Sequence, residues 1–211
     1  MYVVLSLLVV LFGLRLSWSY FSTKSIEKPN TVSSRMLEWG VELREVADMI
    51  QATVLVTGNQ RQALNNWFRQ LAWYIFGDNI AKESVSMTAP VGVTIEENSE
   101  SISMTAPVVL QTSDDWQYRV SFMMPQKFTL DTLPIPNNKN VSFLSIPGSS
   151  YYVWKFSGYS NAVKADKQLE LFTNALKSQG IQTSSTPILN QYNDPWTIRF
   201  MRKNEWWIAV E

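Results

Sequence analysis

The chain contains no cysteine. Disulfides, thiolate nucleophiles, iron–sulfur clusters and cysteine-based zinc sites are therefore excluded. It contains no histidine either, which removes Ser-His-Asp and Cys-His catalysis together with imidazole ligation of a metal. Net charge is also missing: 18 basic residues balance 18 acidic ones over 211 residues, so no global field draws in nucleic acid. No paired-carboxylate motif stands out, and an enzyme would have to work with carboxylates, Lys or Tyr. The sequence is thus read as non-catalytic.

Aromatic residues are what the chain has in excess: nine Trp, eight Tyr and ten Phe, more than a core of this size usually needs. Trp and Tyr often serve binding surfaces, because each joins a large apolar body to a polar handle.

Residues 1–21 open with the uncharged run MYVVLSLLVVLFGL and continue past Arg15 through Leu16, Trp18, Tyr20 and Phe21. This composition suits a signal peptide, or a membrane anchor if Arg15 snorkels, and both readings stay open. The expected location is accordingly membrane-anchored or exported, with the rest of the chain outside the bilayer. Ser22 to Ser34 is polar and contains Pro29 and Asn30, and residues 22–40 read as a tether.

Regular patterning begins near Val41. Glu42 to Thr57 reads as strand, and Gln60 to Phe76 has helical period, with Leu64, Trp67, Phe68, Leu71, Ala72 and Ile75 on one face and Gly77 as its stop. Val85–Ile95, Ile102–Leu110 and Trp116–Met124 alternate like strands, and Leu133–Asn140 reads as a loop at the midpoint. The order then repeats. Val141–Ser157 is strand material broken at Pro147-Gly148, and Asn161–Ser178 is a helix with Ala165, Leu169, Phe172, Ala175 and Leu176 inward. Ile188–Tyr192 is a strand, and Thr197–Met201 and Trp206–Val210 form a hairpin around Arg202-Lys203-Asn204. These patterns predict an α+β fold of duplicated strand-helix-strand-strand units, forming a curved antiparallel sheet or distorted barrel flanked by two helices.

A short repeat is the sharpest motif: Ser84-Val85-Ser86-Met87-Thr88-Ala89-Pro90-Val91 recurs as Ser101-Ile102-Ser103-Met104-Thr105-Ala106-Pro107-Val108. Core packing explains both Met residues, since Met87 shares a strand face with Val85, and Met104 with Ile102. Preceded by Leu71-Ala72-Trp73-Tyr74-Ile75-Phe76-Gly77, the doubled SMTAPV resembles the SOUL haem-binding family. Tyr118–Pro125, Phe156–Tyr159, Gln191–Trp196 and Arg202–Glu205 follow in the family's order, so the resemblance spans residues 41–211. It implies a barrel-like sheet with two helices, binding of haem or another tetrapyrrole, and no established enzymatic reaction. It also implies a site along the outer side of the first helix.

On a helical wheel Trp73 falls opposite Leu64, Leu71 and Ile75, with Arg69 one turn earlier and Phe76 close by. Trp73 and Phe76 suit stacking on a planar macrocycle, while Arg69 or Arg61 suits its propionates. Where relatives present basic side chains this chain has Asn65 and Trp73. The candidate cofactor-binding set is Arg61, Asn65, Arg69, Trp73 and Phe76. Without histidine, only Met, Tyr or Lys side chains remain to ligate iron, so haem would be held weakly or by its ring, and no metal ligand is assigned. Two alternatives stand beside this reading: a protein-interaction module that has lost the cofactor, and an enzyme acting on a small apolar ligand through a cluster such as Glu42, Tyr74 or Tyr159. The Arg202–Glu205 block reads as a solvated turn.

Overall fold

The computed structural model describes residues 6, 13, 17, 27–57, 69–81, 101–102, 108–113, 117–193 and 197–210. Of the apolar N-terminal segment only Ser6, Gly13 and Ser17 are among them, and no helix of the described residues is long and apolar enough to cross a membrane. The first copy of the SMTAPV repeat, most of the second, Arg61 and Asn65 lie outside the described residues.

The fold is α+β and its strands pair antiparallel. The chain divides into two compact units. The first comprises Met1–Ala47, Ala106–Gln111 and Gly148–Glu211, and the second Asp48–Thr105 and Thr112–Pro147. Compactness therefore does not follow the sequence halves: β2 (Glu42–Val46) and β3 (Met49–Thr57), expected as one strand, belong to different units.

In the first unit, β1 (Thr31–Met36) pairs with β2, β2 with β9 (Ser149–Ser157), and β9 with β11 (Lys203–Ala209). Next come β10 (Ile188–Gln191) and the first residues of β5 (Val108–Ser113). Strand β1 lies within the stretch read as a tether, which corrects that reading for residues 31–36. It borders only β2, so this sheet is open at β1 rather than closed into a barrel.

Alternation gives the sheet two distinct faces. Tyr152, Trp154 and Phe156 of β9 and Trp206 and Ile208 of β11 form one apolar cluster with helix α2 (Ala162–Ser178). The helix contributes Ala165, Phe172, Ala175 and Leu176, as its 3.6-residue period predicts, and Leu169 packs against them. Asn161 caps it by accepting from the Lys164 N–H at 3.0 Å. The residues between, namely Val153, Lys155, Glu205 and Trp207, stand on the opposite face.

The second unit pairs β3 with β6 (Gln117–Met123) and with β8 (Ser142–Ile146), while β4 (Asn79–Ile80) pairs with β7 (Ile135–Pro136) inside the expected loop. The first helix, α1, is described over residues 69–75. Leu71, Ala72, Tyr74 and Ile75 are buried, and the Tyr74 ring lies 5.6 Å from that of Phe143, the β8 residue opposite Ala52. Gly77 has φ +115°, a conformation that favours glycine where the chain leaves the helix. One expected element differs in kind. Arg199–Met201 is a 3-10 turn, and β11 begins at Lys203, so no hairpin surrounds Arg202–Asn204.

Candidate functional site

Two regions carry chemistry, one in each unit. In the second unit, α1 buries its apolar side and leaves Trp73 and Phe76 57% and 66% exposed, with Arg69 exposed one turn before Trp73. Side chains three or four positions apart on a helix are neighbours, so Arg69, Trp73 and Phe76 share one outward stripe. The helix end is braced by its surroundings: Tyr74 donates its hydroxyl to the Pro134 carbonyl at 3.0 Å, and Asn79 Nδ2 donates to the Tyr74 carbonyl at 2.7 Å. Just beyond the helix Ile80 and Ile135 sit opposite one another on β4 and β7, both exposed. Directly opposed strand residues point to the same side, which gives a second exposed apolar pair in this unit.

In the first unit, the sheet face opposite α2 holds a buried ionic network. Glu42 and Arg44 are two residues apart on β2 and so share that face. Glu205 stands on β11, beyond β9. Two strand spacings separate them by roughly 10 Å, a gap that a long side chain can bridge. Arg44 does so. Its Nε and Nη2 donate to the two Glu42 carboxylate oxygens at 2.9 and 3.0 Å, and its Nη1 and Nη2 donate to Glu205 at 2.9 and 3.2 Å. Lys155 Nζ adds an ion pair to Glu42 Oε2 at 2.5 Å. Glu205 Oε2 also accepts from the Tyr192 hydroxyl at 2.6 Å and from Trp207 Nε1 at 2.7 Å. The Arg44 guanidinium lies 5.4 Å from the centre of the Trp207 ring.

Three groups of this network titrate away from their ordinary values. The hydrogen bonds from Arg44 hold the Glu42 carboxyl down at about 2 against the opposing effect of burial, with Lys155 assisting. Burial disfavours the charged form of Arg44, but its bonds to Glu42 and Glu205 outweigh that and raise its pKa further. Burial, and then the negative charge of Glu205, push the Tyr192 hydroxyl well above its ordinary range.

A pH dependence follows from Glu42. Its folded pKa is depressed from 4.5, so its contribution to stability is complete above that pH and is lost as pH falls towards about 2. Between those limits the parent should lose stability relative to Glu42→Gln by up to about 1.4 kcal/mol per pH unit, the slope for one differentially bound proton. Urea midpoints of both proteins across this range check it, and parallel pH profiles would overturn it.

Each residue weighed for catalysis has a partner within its own unit. Glu42 is held by Arg44 and Lys155, the Tyr74 hydroxyl is committed to Pro134, and Tyr159 lies under the Arg202 guanidinium at 4.5 Å. The Arg202–Glu205 block is no solvated turn. Asn204 and Glu205 are buried, with Asn204 Nδ2 donating to the Gly158 carbonyl at 2.9 Å and Glu205 at the centre of the network. Among the described residues no group of three or more acidic side chains is placed to hold a metal ion.

An open antiparallel sheet with a helix on one face makes this an α+β protein. The SOUL heme-binding protein family matches residues 27–209, most of the chain, and the chain belongs to that family. No curated protein sequence matches it significantly. Among solved structures it is similar to the EcmrR C-terminal domain at 10% identity, with TM-score 0.58, covering 83% of this chain and 99% of that one. A conserved protein of uncharacterised function from Listeria innocua matches at 12% identity and TM-score 0.52, covering 81% and 92%. A hydrolase from the same organism matches at 13% identity and TM-score 0.50, covering 89% and 94%. At such identities these likenesses concern the fold alone.

Proposed function

We propose that the chain is a non-catalytic tetrapyrrole-binding protein whose ring-stacking surface is the outer stripe of α1. The observation that carries this reading is the exposure of Trp73 and Phe76 on one side of a helix in a chain of the SOUL heme-binding family. Neighbouring exposed aromatic side chains of this kind mark interaction surfaces. A planar apolar macrocycle stacks on such rings, and Arg69 supplies a planar cation for a propionate. With no histidine in the chain, the ring rather than an imidazole–iron bond dominates the affinity. Sequestration, transport or sensing of the tetrapyrrole are the roles such a protein serves, and residues 1–21 direct it to a membrane or through one.

Ferric haem and metal-free porphyrin, titrated separately into the full chain with absorbance and Trp quenching followed together, test the reading. Both should bind one-to-one with similar affinity. The Trp73→Ala, Arg69→Ala double variant should weaken both by more than about tenfold, since stacking and a charged hydrogen bond are each worth about a kcal/mol or more. Unchanged affinity in that variant would overturn the site. Absence of saturable binding by either compound would favour the second reading, a protein-interaction module using the same apolar surface together with Ile80 and Ile135.

A further inference from the structure

A separate cleft of about 680 Å³ opens in the first unit, above the Glu42–Arg44–Glu205 network. Its volume lies within the roughly 300–1,000 Å³ range of small-molecule sites. Four cationic side chains line it besides Arg44: Lys28, Lys155, Arg202 and Lys203. Arg44 and Lys155 answer the carboxylates of Glu42 and Glu205, which leaves Lys28 and Lys203 as further positive charge among the described lining residues.

Those two carboxylates are already engaged. Glu42 receives both Arg44 and Lys155, and Glu205 receives Arg44, Tyr192 and Trp207, so neither offers an uncommitted charge to a cationic ligand. Among the described residues no carboxylate pairs with Lys28 or Lys203. The field in the cleft is therefore positive although the whole chain is neutral, and a concave wall of low dielectric concentrates it. Thr31 and Ser34 add hydroxyl groups to the same wall, and Pro29 gives it apolar surface.

We propose that this cleft binds an organic anion, a carboxylate, sulfonate or phosphate ester carried on an apolar body. Lys28 and Lys203 provide the attraction, and Pro29 contacts the body. Arg44 does not bind the anion directly, because its donors are spent on the two glutamates. The network beneath acts as a rigid floor that keeps both carboxylates neutralised and so keeps an anion from being repelled. Buried ion pairs are seldom retained for stability alone, which fits a role in shaping this site. The cleft lies in the first unit and the Trp73 stripe in the second, so the proposal does not rest on the tetrapyrrole reading.

The test uses the fluorescent anion anilinonaphthalene sulfonate with the full chain. Its binding should be saturable, weaken as salt rises, and fall by more than about tenfold in Lys28→Glu, Lys203→Glu. Lys127→Glu, Lys139→Glu, two exposed charge reversals in the second unit, match that change in net charge and should leave binding within about twofold. The milder Lys28→Gln, Lys203→Gln variant serves if the reversal perturbs folding, as judged by thermal melting, and should lose affinity in the same direction. Three results would overturn the proposal: affinity unchanged in both double variants, loss of binding in Trp73→Ala, or displacement of the dye by the cation tetraphenylphosphonium. Haem binding measured on both double variants separates the two readings: Trp73→Ala, Arg69→Ala should weaken it, and Lys28→Glu, Lys203→Glu should not.

Discussion

Arg44→Ala should destabilise the protein by about 3–5 kcal/mol, the usual cost of removing one partner from a buried ion pair. In a chain of this size that corresponds to a fall in Tm of very roughly 6–20 °C. The reason lies in what is left behind. Glu42 would keep Lys155, an exposed and flexible cation, while Glu205 would keep only the neutral donors Tyr192 and Trp207. A carboxylate without a countercharge on a buried sheet face must be solvated by rearrangement or be protonated. Arg44→Lys should recover only part of the loss, because a point charge cannot present paired donors to two carboxylates at once. Arg44→Met combined with Glu42→Gln and Glu205→Gln should recover more, since no unpaired buried charge then remains and the released Lys155 is exposed. The Arg44→Ala deficit should also shrink below pH 4.5, as the abandoned Glu42 carboxyl protonates. Urea denaturation of the four proteins decides the matter, and an Arg44→Ala loss under about 1 kcal/mol would show that the network is not the anchor its geometry indicates.

The same network shows where the sequence is silent. The two helices were legible because a 3.6-residue period leaves a strong trace: α2 was readable from Asn161 to Ser178, and the outward position of Trp73 followed from the wheel. Strand β1 left none. All six of its residues are exposed, so no alternation marks it, and its conformation is imposed by pairing with β2. The division between β2 and β3 falls at Ala47-Asp48, where no glycine or proline signals a turn, so two strands read as one. Glu205 was hidden differently. The alternation Glu205-Trp206-Trp207 is visible, but a charge in that pattern looks like solvent-facing surface until its partner is known. That partner, Arg44, is 161 positions away and is brought there by the β2–β9–β11 order. Long-range pairing of this kind has no local signature, so the cleft above the network was likewise invisible while the α1 stripe was not.

Phe172→Ala should cost about 3–5 kcal/mol, whereas Leu171→Ala beside it should change stability by no more than about 0.5 kcal/mol. The two residues are adjacent on α2, yet Phe172 is fully buried and Leu171 is 45% exposed. Phe172 stacks on Trp154 of β9, with ring centres 6.0 Å apart and planes inclined by 24°. Trp154 is fixed in turn, since its Nε1 donates to Gln168 Oε1 at 3.0 Å, and Trp206 Nε1 donates to the Ala165 carbonyl at 3.0 Å. Both indoles are thus tied to α2 by their only donors, and the space left by a deleted phenyl ring cannot close by rotating either one. Failure to collapse is what places a large-to-small substitution at the high end of the range. Urea unfolding followed by Trp fluorescence measures both variants, and similar losses for the two would mean that α2 does not seat on the sheet through Phe172. The expected asymmetry also separates the two faces of the sheet. Phe172 acts by apolar packing on the Trp154 and Trp206 side, and its cost should be insensitive to pH between about 5 and 2. The cost of Arg44→Ala on the opposite face should fall over that same interval, because only there is the lost interaction one between charges.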